Sequence, residues 1–147
     1  MAKTIPDTVR KQVKEIVDRF NASELNSPTE ICAAIHARNL EAMTSPKSWL
    51  AIIGSIFSRP KQEEFINYIF YTVRYRGKYL YLDRHTPFKS GPICRLTYTD
   101  DIENWDFAIY KYSSERYDPD EWFFPGDSYV DGTIEGAMRA GLEAYPP

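Results

Sequence analysis

Residues 69–84 read Ile-Phe-Tyr-Thr-Val-Arg-Tyr-Arg-Gly-Lys-Tyr-Leu-Tyr-Leu-Asp-Arg, and residue types alternate along both halves of this stretch. Alternation with a period of two on either side of a Gly-X pair is typical of a β-hairpin with a type II′ turn. We therefore predict strands over residues 69–76 and 79–84, joined at Gly77-Lys78. The register predicts four facing pairs: Tyr75–Leu80 and Val73–Leu82 towards the core, and Arg76–Tyr79 and Arg74–Tyr81 on the opposite side.

The period-two pattern continues beyond the hairpin. We predict strands over residues 93–99 and 105–112, joined by an acidic turn at 100–104, and a short further strand through Phe123 or Phe124. Thr133 is a typical helix N-cap residue, and the helix that it begins is predicted to run to about Ala144. Four small residues let this helix lie close against a sheet or against a partner helix: Gly136, Ala137, Ala140 and Gly141.

Upstream of the hairpin the apolar residues recur with a helical period. A first helix is predicted to begin within residues 4–7 and to end within 21–26. A capping box at residues 27–30 begins a second helix, Ser45-Pro46 begins a third, and residues 58–67 are either a short helix or a loop. We therefore predict one α+β domain over residues 1–147. Its helical half covers about 1–66, and an antiparallel meander of about four to five strands with a C-terminal helix packed on it covers about 67–147.

Charge is distributed unevenly along the chain. Residues 100–147 contain twelve Asp and Glu against three Lys and Arg, a net charge of −9. Residues 1–99 contain nine acids against fifteen bases, a net charge of +6, so the total of −3 conceals two blocks of opposite sign. If the blocks fold side by side, they complement each other internally. If they lie on opposite faces, the basic hairpin is the place to look for a partner.

Composition predicts a globular cytoplasmic protein. Apolar residues make up 43% of the 147 residues and aromatic residues 15%, which is enough for a hydrophobic core. The sequence contains no run of eighteen apolar residues, and its polar start does not resemble a signal peptide, so we expect no membrane association. Cys32 and Cys94 lie 62 positions apart without further cysteines, as expected for buried free thiols in a reducing compartment.

Nucleic acid is the first predicted partner. Arg74, Arg76 and Lys78 can neutralise phosphates. Tyr79 and Tyr81, which follow them in the sequence, can stack on bases. The same basic stretch includes Tyr71, Arg84 and Lys89, and Arg59 in the helical half is expected to join the surface. The alternative is an ordinary solvent face whose Arg–Tyr pairs stabilise the hairpin by cation–π contacts. A winged helix fits less well, because the third helix is too apolar to read a major groove.

A protein partner, or a second copy of the chain, is the second prediction. Trp122 and Phe123 lie in an acidic loop, and the small residues of the last helix offer a close-packing surface. An enzyme that uses Asp83 and His85 is the third hypothesis, since Asp83-Arg84-His85 is the one place where a carboxylate, a base and a histidine crowd together. No catalytic residue or cofactor is predicted. No metal site is predicted either, because the acids at 118–131 do not match a calcium-binding loop.

Three short motifs carry a resemblance. They are residues 5–13 (Ile-Pro-Asp-Thr-Val-Arg-Lys-Gln-Val), residues 73–77 (Val-Arg-Tyr-Arg-Gly), and residues 92–98 (Pro-Ile-Cys-Arg-Leu-Thr-Tyr) followed by Trp105. Through these motifs the sequence resembles a family of small bacterial domains of unknown function, and the resemblance covers about half of the chain. Residues 27–60 and the acidic C-terminal third do not fit that pattern. The resemblance implies a cytosolic bacterial or phage-type protein and no particular activity.

Overall fold

The computed structural model describes residues 4–25, 27, 69–86 and 89–147. The predicted second and third helices, segment 58–67, Arg59 and Cys32 lie outside these residues. Two helices and five strands follow in chain order. They are α1 (Asp7–Glu24), β1 (Phe70–Arg76), β2 (Tyr79–His85), β3 (Ser90–Thr97), β4 (Asp106–Lys111), β5 (Arg116–Asp118) and α2 (Ile134–Ala144). The strands form one antiparallel sheet in the order β1-β2-β3-β4-β5, so the predicted α+β class and meander are confirmed.

The hairpin β1–β2 has the predicted register. Val73 pairs with Leu82 and Arg74 with Tyr81, as alternation requires. Gly77 occupies the first turn position with φ of 60°, a conformation that glycine adopts without steric cost and that other residues rarely adopt.

The fifth strand is not where the sequence predicted it. Glu115 adopts a left-handed conformation with φ of 52°, so the chain reverses directly after β4, and Tyr117 pairs with Tyr110. The predicted strand at Phe123 or Phe124 is therefore wrong: those residues follow β5 in a loop. Phe124 turns inward and stacks on Phe107 with 5.8 Å between ring centroids.

A β-bulge shapes the centre of the sheet. The pairing of β2 with β3 shifts between Leu82 and Asp83, which leaves Ile93 as an extra residue. Ile93 and its neighbour Cys94 are consequently both buried in the core. Burial raises the pKa of the Cys94 thiol, which is free among the described residues.

Both helices pack on one face of the sheet. The core contains Val13 and Phe20 of α1, Leu80 and Leu82 of β2, and Met138 of α2. Thr133 caps α2 as predicted, and its side chain accepts a hydrogen bond from the Gly136 N–H. A Cβ atom at Gly141 would overlap Ile93 and lie 2.7 Å from the Tyr71 hydroxyl. Gly141 is thus used for close contact with the sheet of the same chain, whereas Gly136 lies against Tyr129 and Asp131 of the preceding loop.

The outer edge of β1 is covered by side chains of α1. Asn21 Nδ2 donates to the Tyr71 carbonyl at 3.0 Å, and the Tyr71 N–H donates to Asn21 Oδ1 at 2.8 Å. Asn21 is 3% exposed, so both bonds lie inside the protein. The amide thereby replaces a neighbouring strand at this edge. Within the described ranges, no helix is long and apolar enough to cross a bilayer.

Candidate functional site: the Arg/Tyr face

The Arg/Tyr face is the side of the sheet that points away from α1 and α2. Alternation places every second residue of each strand there, in the order Arg74, Tyr81, Arg95, Ala108 across β1 to β4. We define the face by Arg74, Arg76, Lys78, Tyr79, Tyr81, Asp83, Arg95, Tyr110 and Tyr117. The structure therefore brings together five of the predicted nucleic-acid residues: Arg74, Arg76, Lys78, Tyr79 and Tyr81.

Four tyrosine rings form a continuous row across the Arg/Tyr face. Ring centroids are 6.2 Å apart for Tyr79 and Tyr81, and 5.2 Å apart for Tyr81 and Tyr117. The Tyr110 ring follows at 5.0 Å from Tyr117. Neighbouring rings are tilted or perpendicular, which is a favourable arrangement for aromatic quadrupoles. The row thus forms one aromatic surface across non-adjacent strands.

Cationic side chains lie over this row. The Arg95 guanidinium is 4.6 Å from the Tyr79 ring centroid and 5.6 Å from that of Tyr117. Arg74 lies 5.0 Å from the Tyr81 ring, and the Lys78 ammonium 5.4 Å from that of Tyr79. These are the cation–π contacts expected for a self-stabilised hairpin surface. They also hold several positive charges at one place.

Among the described residues, only one cation of the Arg/Tyr face has a carboxylate partner. Arg74 Nε donates to Asp83 Oδ2 at 2.5 Å, and its Nη2 donates to Oδ1 at 3.1 Å. Among the described residues, Arg76, Lys78 and Arg95 form no ion pair with an acid. The Nε of Arg95 is buried, and no described residue forms a hydrogen bond with it. The face therefore carries a net positive charge.

A cleft of about 440 Å³ opens on this surface. It is lined by Arg74, Tyr75, Arg76, Tyr81 and Tyr117. Burial raises the pKa of Tyr117 to about 12, against the opposing effect of the nearby Arg74. The Tyr117 phenol is therefore neutral at physiological pH and can donate a hydrogen bond into the cleft.

Most ion pairs of the described residues lie within one charge block of the sequence and not between the two. Arg74–Asp83 and Lys14–Asp18 join residues of the basic block, whereas Lys111 pairs with Asp118 and Glu121 inside the acidic block. The one ion pair between blocks among the described residues, Arg139–Glu24, has the reverse polarity. No described base of residues 1–99 is thus paired with an acid of residues 100–147.

Arg84 and Tyr71 do not belong to a surface. Arg84 is 5% exposed, lies on the core side, and donates through Nη1 to the Gly141 carbonyl at 3.2 Å and through Nη2 to the Tyr145 carbonyl. The cation thus satisfies carbonyls at the C-terminus of α2, where the helix dipole favours positive charge. Tyr71 is buried, and its hydroxyl donates to the Met138 carbonyl at 2.7 Å.

Asp83 and His85 are held by different partners. Both hydrogen bonds of the Asp83 carboxylate go to Arg74, while His85 lies 2.8 Å from Thr72 Oγ1 and 2.7 Å from Ser90 Oγ. No hydrogen bond of the described residues joins Asp83 to His85, and this pair therefore has no direct proton relay. In the same part of the chain, no group of three or more His, Cys, Asp or Glu side chains is placed to hold a metal ion.

Trp122 and Phe123 project from an ordered loop. Their side chains are 50% and 94% exposed. Glu121 fixes the loop, because its carboxylate accepts from the Phe123 N–H at 3.2 Å and from Lys111 Nζ at 2.9 Å. These bonds, with the charge of Lys111, lower the pKa of Glu121. The predicted protein-contact residues thus lie on the surface.

Sequence reasoning missed Arg95, Tyr110 and Tyr117. The signal for Arg95 was present, because it follows by alternation in the predicted strand 93–99. Tyr117 lies outside every strand predicted from the sequence, and so its place beside Tyr81 was not foreseen.

Comparison of the chain with protein-family models, curated proteins and solved structures finds no match in any of the three. The resemblance to small bacterial domains therefore stays a prediction.

Proposed function

We propose that the Arg/Tyr face binds single-stranded nucleic acid. One observation carries this proposal: a row of tyrosine rings is bordered by Arg76, Lys78 and Arg95, which have no carboxylate partner among the described residues. Phosphates supply the missing counter-charge, and bases supply flat apolar surfaces for the rings.

A single strand fits this surface better than a duplex. Tyrosine rings can stack only on bases whose faces are accessible, and these faces are hidden inside a double helix. Duplex DNA is usually read by a helix or a two-stranded ribbon in the major groove. Both described α-helices lie on the other side of the sheet, so the face offers a surface of strands instead.

The cation–π contacts of the free protein do not prevent stacking. A cation–π contact at an exposed site contributes about 0.5–1 kcal/mol, whereas stacking of a base on an aromatic side chain contributes about 1–3 kcal/mol. Arg74 is such a site, because 58% of its side chain is exposed, and replacing its guanidinium by a base over the Tyr81 ring is therefore favourable. The displaced guanidinium then meets a phosphate of the same strand.

Fluorescence anisotropy with a labelled oligo(dT) strand and a duplex of equal length tests the proposal. We expect binding to the single strand that weakens with salt and is stronger than binding to the duplex. The double variant Arg76→Ala/Lys78→Ala should lose most of the affinity. Lys11→Ala/Arg19→Ala removes the same charge from exposed positions of α1 and should bind like the wild type. Equal losses in both double variants, or no binding at low salt, would contradict the proposal.

A further inference from the structure

The loop that carries Trp122 and Phe123 supports a separate inference. We propose that this loop of one copy docks into the cleft on the Arg/Tyr face of a second copy of the chain. The aromatic tip is defined as residues 118–123. The proposal does not rest on nucleic-acid binding, although both partners would occupy the same cleft.

Phe123 is exposed in an unusual setting. Its side chain is 94% exposed although the aromatic tip is tied down by hydrogen bonds at both ends. Asp118 accepts from the Asp120 N–H at 3.0 Å, and Glu121 accepts from the Phe123 N–H. An adjacent pair of exposed aromatic residues is typical of an interaction site, and hydrogen bonds that hold the loop backbone lower the conformational entropy lost on binding.

The tip cannot reach the cleft of its own chain. Glu121 is bound to Lys111, and Phe124 is stacked on Phe107, and these contacts lie on the helix side of the sheet. Phe123 is held between the two fixed positions after β5, whereas three of the five cleft residues belong to β1 at the opposite edge of the sheet. Insertion within one chain would break both contacts, so the docking has to be intermolecular.

Opposite charges on the tip and the cleft favour the cleft as the surface that binds the tip. The exposed Asp120 carboxylate has no ion-pair partner in the described part of the chain, and Arg76 in the cleft has none either. Asp120 and Arg76 have opposite charges, so their attraction is available between copies. The Phe123 ring then packs against Tyr81 and Tyr117, and Asp120 meets Arg76.

The topology permits a reciprocal dimer. Tyr117 of β5 lines the cleft together with residues of β1 and β2, and it directly precedes the tip. Each copy therefore carries both a tip and a cleft. A twofold axis would therefore join two tips to two clefts.

Charge exchange between copies tests the inference without nucleic acid. Sedimentation velocity from about 10 µM to about 1 mM should reveal a reversible dimer, and Phe123→Ala should weaken it by about tenfold or more. Asp120→Arg alone and Arg76→Asp alone should each be monomeric, because every interface then joins like charges.

An equimolar mixture of these two variants should restore the dimer. In the mixed pair, one interface joins the exchanged charges and the other is identical to the wild type. A wild-type monomer throughout the range, or a dimer unaffected by Phe123→Ala and by the exchange, would overturn the inference. Circular dichroism of the variants at these exposed positions controls for folding. Absence of oligonucleotide binding would refute the proposed function and leave the dimer result unchanged.

Discussion

Asp83 competes with phosphate for Arg74. Its carboxylate accepts two hydrogen bonds from the guanidinium, at 2.5 and 3.1 Å. It thereby neutralises Arg74, which alone among the cations of the Arg/Tyr face has a carboxylate partner in the described part of the chain. Asp83→Asn keeps the size and shape of the side chain and removes its charge. We therefore expect the variant to bind single-stranded nucleic acid more tightly than the wild type.

The size of the effect follows from the number of free cations. For single strands, the logarithm of affinity falls with the logarithm of salt by about 0.7 per neutralised phosphate. Arg76, Lys78 and Arg95 then give a slope of about −2.1, and release of Arg74 steepens it to about −2.8. If the plots of log affinity against log salt for wild type and variant meet at about 1 M salt, the variant binds about fivefold more tightly at about 0.1 M.

The assay is anisotropy with labelled oligo(dT) over a salt series. Asp18→Asn is the matched control, since it removes the same charge from the Lys14–Asp18 pair on α1. The control should keep the wild-type affinity and slope. Binding by Asp83→Asn no tighter than wild type, or an equal gain in Asp18→Asn, would refute the reasoning.

Three further predictions concern stability. Asn21→Ala leaves the buried Tyr71 N–H and carbonyl unpaired and should cost about 3 kcal/mol in urea unfolding, while a loss below about 1 kcal/mol would contradict this role. Gly141→Ala forces a Cβ against Ile93 and should lower stability by about 2 kcal/mol, whereas an unchanged melting temperature would show that α2 can move away. Hydrogen bonds from the Thr133 hydroxyl and N–H lower the pKa of Asp131, so its stabilisation is present above an ordinary Asp pKa of about 3.9 and is lost as pH falls. Asp131→Asn should melt below wild type at pH 7, and the difference should shrink in acid; a constant difference would rule this out.

The sheet could be predicted because its signals are local. In the β1–β2 hairpin, alternation and the Gly77-Lys78 turn fix the register together, and a slip by one residue would expose Leu80 and Leu82. Thr133 likewise identifies the start of α2 from its own residue type. These features need no knowledge of distant residues.

The fifth strand could not be predicted in this way. Three residues, Arg116–Asp118, are too few to display a period. Their pairing depends on the left-handed conformation of Glu115, and no turn residue marks that position. The position of Tyr117 in the candidate site was lost with the strand.

Arg84 was misassigned for a different reason. It follows Leu80 and Leu82 at intervals of two, so alternation places it on the core side. Its charge favoured a surface position, because buried arginines are rare unless they are paired. The partners that permit burial are carbonyls of α2, some sixty residues away along the chain.

The central claim is that the Arg/Tyr face is the binding surface. Nuclear magnetic resonance titration of the labelled protein with oligo(dT) tests it most directly, since every backbone amide reports its own environment. We predict that the largest shifts occur in β1 to β3 and β5, around Arg76, Tyr81, Arg95 and Tyr117, while the amides of α2 stay unchanged. Shifts concentrated on the helices, or an unchanged spectrum at low salt, would contradict the account.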